Sequence, residues 1–208
     1  SQPGGLVSIT FTDGTATTLA QDYAATNLQR SLGQTFTAAV LDDYLADNKE
    51  TFNVAVSGFT NSASFSSVTY INAATTIVDD SNPDTPETPD EPNQEVVLVS
   101  IDGPATVVEG NVTSKYTVTL SETPVTDVTV RLTYTGTAED GTDYTKEVSV
   151  LVPAGSKTAT FDLDTIKEDI PDNGETIVIN LGGITGGGFE SIRADANADR
   201  VTTTIVDA

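Results

Sequence analysis

Acidic residues recur at matching positions in the two halves of the chain. When residues 161–183 are laid without gaps over residues 36–58, Asp172 falls on Asp47 and Glu175 falls on Glu50. These residues offer hard carboxylate oxygens, whereas the chain contains no His and no Cys to bind zinc, copper or iron. The residue types therefore point to cations as partners.

The same acids have an ordinary explanation that stays open at this stage. Asp and Asn are common turn formers, and an acidic surface can simply be solvated. Catalysis has little support, because 31 Asp and Glu offer carboxylate pairs by chance and no Trp is present to form a sugar platform. Without His or Cys, no base stands out for a serine nucleophile. We expect a protein that is not an enzyme.

The formal net charge of −22 restricts the class of partner. Such a charge repels nucleic acids and anionic membrane surfaces, which both attract positive charge. The longest run of strongly apolar residues, 96–99, is far too short to span a bilayer. We expect neither a nucleic-acid partner nor membrane insertion.

The repeated acids lie beside segments with the two-residue period of half-buried strands. Ile177, Ile179 and Leu181 alternate with less apolar neighbours, and so do the aligned residues Phe52, Val54 and Val56. After a strand that begins at Val7, the pattern predicts strands at 25–32, 34–41, 50–57, 68–78, 96–101, 114–121, 128–135, 146–152, 157–166, 175–182 and 200–207. Residues 41–52 have fair helix propensity, but the aligned segment contains a proline and a glycine, so we predict a loop there.

The chain is predicted to contain two copies of one module joined by a linker. Within 81–95, prolines stand at every third position from 83 to 92, which is the repeat of a polyproline II helix and predicts a stiff acidic spacer. The predicted domains are therefore 1–80, the linker 81–95, and 96–208. Seven short strands with turn signals between them predict an immunoglobulin-like sandwich for the second domain.

The first module is predicted to be incomplete. If Val7 aligns with Val130, residues 96–127 have no counterpart in the first module. The predicted fold class is thus all-β, with tandem immunoglobulin-like Greek-key sandwiches of which the first is incomplete or split. We favour a domain split by an insertion, although another chain or segment could donate the missing strand pair. A naturally smaller five-stranded module is the alternative.

The second module resembles the Calx-beta family, which includes the regulatory domains of sodium-calcium exchangers. The resemblance rests on VVEG at 107–110, GTAEDGTDY at 136–144, VPAGSKTATFDL at 152–163, EDIPDNGETIVINL at 168–181 and TTIVD at 203–207. Tandem acidic copies without cysteine are also similar to the extender repeats of giant calcium-dependent RTX adhesins of Gram-negative bacteria. The RTX nonapeptide repeats themselves are absent from the sequence.

The resemblance implies that Ca²⁺ is held at one end of each sandwich. The residues that match the family's ligands in the second module are Glu109, Asp143, Glu168, Asp169, Asp172, Glu175 and Asp207. Their equivalents in the first module are Asp22, Asp43, Asp47, Glu50, Asp79 and Asp80, and Asp84 lies nearby in the linker. Tyr44 replaces one of these acids and the first-turn glutamate is missing, so the first site is expected to be weaker.

The resemblance also implies a structural function. We expect a calcium-stiffened scaffold of a large bacterial adhesin that is secreted to the cell surface and projects a ligand-binding domain for adhesion or biofilm formation. Its partners would be neighbouring domains of the same long chain, and the protein would be monomeric. The alternatives are a calcium-sensing regulatory module, or a module that binds carbohydrate or peptide through the first half.

Overall fold

The structure is a computed structural model that describes residues 4–19, 22–41, 44–46, 49–60, 65–78, 96–110, 113–167 and 174–207. The chain divides into two compact units, Ser1–Gln94 and Glu95–Ala208, called unit 1 and unit 2 below. The predicted linker 81–95 lies outside the described residues. Among the described residues, no helix has the length and apolar character needed to cross a bilayer.

Unit 1 contains one four-stranded antiparallel sheet and one small strand pair. Its strands are β1 (Leu6–Asp13), β2 (Tyr23–Ala24), β3 (Leu28–Ser31), β4 (Ala39–Val40), β5 (Thr51–Ser57) and β6 (Ala73–Thr76). The sheet order is β3-β1-β5-β6, and β2 pairs with β4. The described part of 41–52 contains no helix, as predicted.

Three strands predicted for unit 1 are wrong in extent. The segment 25–32 forms a strand only at 28–31, the segment 34–41 only at 39–40, and the segment 68–78 only at 73–76. Their alternating pattern is suited to a sheet, but a strand also needs neighbours for its backbone groups. In the described part of the chain, no strand is paired with 34–38 or 68–72.

Unit 2 is a complete sandwich of two five-stranded sheets. Its strands are β7 (Val96–Asp102), β8 (Thr106–Val108), β9 (Thr113–Leu120), β10 (Val128–Gly136), β11 (Tyr144–Thr145), β12 (Ser149–Val152), β13 (Thr158–Thr165), β14 (Thr176–Gly186), β15 (Ser191–Ala194) and β16 (Arg200–Val206). One sheet has the order β12-β10-β14-β16-β8 and the other has β11-β13-β9-β7-β15. The short strands β8, β11 and β15 were not predicted, and the strand predicted at 146–152 forms only at 149–152.

The inward residues of the two sheets form the core of unit 2. Alternate residues of β9, Tyr116, Val118 and Leu120, are almost wholly buried, as the two-residue period predicts. The Tyr116 ring stacks on Phe161 with centroids 5.3 Å apart, and its hydroxyl lies 2.8 Å from Thr203 Oγ1. A buried phenol therefore keeps a polar partner inside an apolar core.

Unit 1 has a much smaller core. Ala16, Tyr23, Phe52 and Ile77 form its buried cluster, in which the Tyr23 and Phe52 rings stack with centroids 4.3 Å apart. Several large apolar side chains of this unit are exposed, among them Leu32, Val40 and Ile71. Such an open apolar surface indicates that part of the sandwich is missing.

The two units share one topology. The sheet β3-β1-β5-β6 repeats the order of β12-β10-β14-β16, and the pair β2-β4 repeats β11-β13. Among the described residues, β7, β8, β9 and β15 have no counterpart strand in unit 1. The predicted fold class, tandem immunoglobulin-like sandwiches with an incomplete first module, is confirmed.

The buried phenol of Tyr23 gives a test of the small core. Burial and a hydrogen bond of 2.6 Å from the hydroxyl to Asp13 Oδ1 raise the pKa of Tyr23 to about 12. Since the folded pKa lies above the ordinary value of 10.0, this phenol contributes to stability below pH 10, and the contribution is lost as the pH rises towards 12. The phenolate absorbance of the native chain minus that of Tyr23→Phe should therefore titrate near pH 12.

The control for this titration is the same difference measured in concentrated denaturant. There the midpoint should return to about 10. A native midpoint at the ordinary value would contradict the burial of Tyr23.

Candidate metal centre

Backbone hydrogen bonds join two acid-bearing segments of unit 2 to the end of β16, which itself leads into a third acid. The Glu109 backbone N–H donates a hydrogen bond of 2.9 Å to the Val206 carbonyl, and the Ile205 N–H donates one of 2.8 Å to the Glu175 carbonyl. Asp207 directly follows these two residues in the chain. The two glutamates, 66 positions apart in sequence, therefore lie beside consecutive residues of one strand.

The loop that carries Asp143 is joined to the same end of the sandwich. The Ile166 N–H donates to the Asp143 carbonyl at 2.8 Å, and the neighbouring Thr165 hydroxyl donates to the Val108 carbonyl at 3.0 Å. Val108 directly precedes Glu109. Asp143, Glu109 and Glu175 are thus linked through a short series of hydrogen bonds.

These carboxylates are largely withdrawn from water. Only 8% of Glu109 and 7% of Asp143 are exposed, and the Oε2 atom of Glu175 is buried. The Asp143 side chain accepts a hydrogen bond from the Glu139 N–H, which fixes the orientation of one of its oxygens. Burying a carboxylate is costly unless charge or hydrogen bonds compensate it, and this hydrogen bond compensates part of the cost at Asp143.

A Gly-Thr-Ala segment positions the Asp143 loop. A Cβ on Gly136 would lie 2.1 Å from the Thr176 carbonyl oxygen, so only glycine fits there. The Ala138 N–H donates to that oxygen at 3.1 Å, and the Thr137 hydroxyl accepts from the Thr176 N–H at 2.9 Å. The start of this loop is therefore fixed to the start of β14, next to Glu175.

Unit 1 repeats the same construction at its Gly-Thr-Ala segment, residues 14–16. The Ala16 N–H donates to the Thr51 carbonyl at 3.0 Å, and the Thr51 N–H donates to the Thr15 hydroxyl at 2.8 Å. A Cβ on Gly14 would lie 2.2 Å from the same carbonyl oxygen. The repeated tripeptide is visible in the sequence but is not among the predicted features, although it could have located the loop in both units.

Asp22 and Glu50 are the described acids of the corresponding cluster in unit 1. The Leu41 N–H donates to the Asp22 carbonyl at 3.1 Å, and the Ile77 N–H donates to the Glu50 carbonyl at 2.8 Å. Asp22 is only 3% exposed, and its Oδ2 accepts from the Thr17 N–H at 2.6 Å. Each unit therefore places a buried aspartate and the acid before β5 or β14 in equivalent positions.

A second acid of the Asp143 loop is engaged elsewhere. Asp140 pairs with Lys146 at 2.8 Å, and the hydrogen bonds from Lys146 lower the pKa of the Asp140 carboxyl. The other described ion pairs, Lys115–Asp162 and Lys157–Glu122, join exposed side chains. Exposed pairs of this kind contribute little to stability.

The structure describes six of the fourteen predicted ligands. These six are Glu109, Asp143, Glu175, Asp207, Asp22 and Glu50, and Asp207 is exposed. Eight fall outside the described residues, namely Glu168, Asp169, Asp172, Asp43, Asp47, Asp79, Asp80 and Asp84. Within the described ranges, no three acids are grouped closely enough to hold a metal ion. The donor types fit a hard cation such as Ca²⁺, and the ligand set stays a prediction.

One backbone conformation at these clusters differs between the units. Lys49 has φ +77°, and no other non-glycine residue that the structure describes has a positive φ. Its equivalent in unit 2 is Gly174, with φ +102°. Left-handed backbone costs a non-glycine residue roughly 1 kcal/mol, although glycine loses more entropy on folding. Lys49→Gly should therefore stabilise unit 1 by up to about 1 kcal/mol in urea unfolding followed by amide NMR signals of each unit.

The matched control is Lys167→Gly, at an exposed residue without positive φ. That change should destabilise unit 2 slightly, because glycine adds entropy to the unfolded chain without relieving strain. Equal changes in the free energy of unfolding for the two substitutions would contradict backbone strain at Lys49.

Comparisons with known proteins gave similar solved structures only. No protein-family model and no curated protein matches the chain. The apo-form CBD1 domain of Calx is 22% identical over 55% of this chain and 99% of its own, with a TM-score of 0.47. The calcium binding domain CBD12 of CALX1.1 is 13% identical over 96% of this chain and 86% of its own, with a TM-score of 0.40. A two-domain protein of unknown function from Bacteroides fragilis is 14% identical over 54% of this chain and 46% of its own, with a TM-score of 0.43.

Proposed function

We propose that this chain is a pair of non-catalytic structural repeats from a large bacterial cell-surface adhesin, and that unit 2 binds Ca²⁺ at its acidic strand ends. The observation that carries the proposal is that hydrogen bonds join the segments carrying Glu109, Asp143 and Glu175, which are distant in sequence, at one end of the sandwich. Glu109 and Asp143 are buried, and so is Oε2 of the half-buried Glu175, which an acidic solvated surface explains poorly. Scattered turn acids would not need to lie on segments that are hydrogen-bonded to one another at one end of a sandwich.

The cation would act as a crosslink between loops. Ca²⁺ accepts six to eight oxygen ligands, more than three carboxylates supply without further donors. Glu109, Asp143 and Glu175 would supply the buried ligands, and Asp207 with the acids of 168–172 would supply others. Bound Ca²⁺ would offset the mutual repulsion of these carboxylates. The chain's own contribution is to hold the strand ends together through the hydrogen bonds described above.

An extracellular location agrees with this chemistry. A chain without cysteine has no disulfides, so cation crosslinks are one remaining way to stiffen it. Calcium sites of extracellular modules bind in roughly the 10⁻⁴ to 10⁻³ M range, which suits permanent occupancy outside the cell. As an extender or split-domain scaffold, the chain would project a ligand-binding domain of the same protein, whose neighbouring domains are its partners.

The site in unit 1 would be the weaker one. Asp22 and Glu50 are equivalent to Asp143 and Glu175, but unit 1 has no described counterpart of β8, the strand after which Glu109 stands. With fewer ligands, a calcium site loses both charge and rigidity. We therefore assign the stabilising effect of Ca²⁺ mainly to unit 2.

Thermal unfolding of the full chain in excess EDTA and in millimolar Ca²⁺ tests the proposal. Ca²⁺ should raise the melting temperature of unit 2 by roughly 5–15 °C, because a ligand that binds only the folded state stabilises it. Glu109→Gln and Asp143→Asn keep the side-chain shape but remove a charge, so most of this rise should disappear. Equal concentrations of Mg²⁺ should have a smaller effect, since Mg²⁺ dehydrates reluctantly.

Asp162→Asn is the matched control, because Asp162 is an exposed acid on β13. It should keep the full response to Ca²⁺. An unchanged melting temperature in the native chain, or equal losses in Asp162→Asn and Asp143→Asn, would contradict calcium binding at the strand ends. A Ca²⁺ titration followed by small-angle scattering separates two roles. Nearly constant occupancy and shape at millimolar Ca²⁺ support a scaffold. A large change in shape at micromolar Ca²⁺ indicates a sensor.

A further inference from the structure

Unit 2 shows what normally covers the inner face that unit 1 leaves open. Phe161 of β13 lies opposite Tyr116 of β9 in the antiparallel ladder, stacks on its ring at 5.3 Å, and is 8% exposed. Phe36 is its equivalent in unit 1 and is 37% exposed. Its described ring contact is an edge-on one to Phe11, at 6.1 Å. The aromatic position is thus kept in unit 1, but no strand covers it in the part of the chain that the structure describes.

The backbone around Phe36 shows the same difference. The equivalence is fixed by register, because Tyr23 pairs with Val40 just as Tyr144 pairs with Thr165. In unit 2 the strand β13 extends over eight residues and pairs along its length with β9. In unit 1 only β4 is a strand, and residues 34–38 lack a ladder among the described residues. This segment has the sequence of a strand and lacks its neighbour.

A second segment of unit 1 is in the same situation. Residues 65–71 lie between β5 and β6, where unit 2 has β15 between β14 and β16. The strand β15 exists through parallel pairing with β7. Val68 and Tyr70 alternate with Thr69 and Ile71 in a strand-like pattern, but this segment is not a strand in unit 1. Without a counterpart of β7, it has no ladder to join.

The 65–71 segment instead borders a cavity on the open side of the sheet. The cavity has a volume of about 400 Å³ and lies between Val7, Leu32 and Val56 of the sheet side and Phe65, Val68 and Tyr70 of the segment. Val7 and Val56 are equivalent to Val130, which is fully buried, and to Leu181, which packs against the core of unit 2. The space is therefore apolar and open where a sandwich would be filled.

We propose that unit 1 is completed by a separate pair of antiparallel strands with the inward pattern of β7 and β9. The strand equivalent to β9 would add antiparallel to residues 34–40 and place an aromatic side chain on Phe36. The strand equivalent to β7 would lie between it and residues 67–71, which would then pair in parallel as β15 does. The occupant is thus a two-stranded segment of about seven to eight residues a strand, with branched aliphatic residues facing inward. This inference goes beyond the calcium function and does not depend on it.

The occupant can be tested by adding the protein's own β7–β9 region to unit 1. A second copy of residues 96–127 is joined directly before Gly5, because Gly5 is equivalent to Val128 in the shared register. The rest of the chain, including unit 2, is retained. Amide hydrogen exchange then follows Phe36, Ala38, Val68 and Tyr70. Their protection should rise by roughly tenfold or more as ladder hydrogen bonds form, and binding of an apolar fluorescent dye should fall.

The matched control carries Tyr116→Asp and Val118→Asp in the added copy alone. It has the same length and connection but cannot place apolar residues inward, so it should give no protection. Unit 2 amides report in every sample that the chain is folded. The proposal is overturned if the four amides exchange unchanged in a folded chain, or if the control protects them equally. It is also overturned if the chain without the added copy dimerises and protects them, because a second copy would then be the occupant.

Discussion

The position of a few buried carboxylates at strand ends is the constraint on which the rest of this molecule depends. The segments that carry Glu109, Asp143 and Glu175 are joined by hydrogen bonds at one end of the unit 2 sandwich. Acids in such positions repel one another, because like charges interact more strongly where water screens them poorly. The backbone hydrogen bonds that hold them together must therefore be supported by the sandwich core on one side and, in our account, by a cation on the other.

Comparison of the two units shows which features of the acidic loop do not require a complete sandwich. Both fix an acidic loop to the start of a strand through Gly-Thr-Ala, and both place an aspartate inside the fold. Among the described residues, counterparts of β7, β8 and β9 are found in unit 2 alone, where they close the core and Glu109 follows β8. The segment that completes the unit 2 sandwich therefore also carries Glu109, a predicted ligand.

The sequence predicted the fold best where a regular pattern of residues carries the signal. The alternation of Tyr116, Val118 and Leu120 predicted a half-buried strand, and the repeat predicted that unit 1 lacks a strand pair. It failed at 34–38 and 68–72, where the local pattern suits a strand but the partner that would pair with it is not supplied by the described chain. The placement of Glu109 and Glu175 on either side of the end of β16 could be suggested only by resemblance, because strand pairing over long sequence distances has no local signal. The acids of 168–172 lie outside the described residues, so their part in the site stays a prediction.

Direct observation of the ion tests the central claim most simply. Crystals of residues 1–208 grown with Ca²⁺ and measured at a long X-ray wavelength would locate bound calcium by its anomalous scattering. Our account predicts a strong peak at the end of unit 2, about 2.3–2.6 Å from carboxylate oxygens of Glu109, Asp143 and Glu175. Well-ordered side chains at this end with no anomalous peak at millimolar Ca²⁺ would contradict it, and the buried acids would then need another explanation.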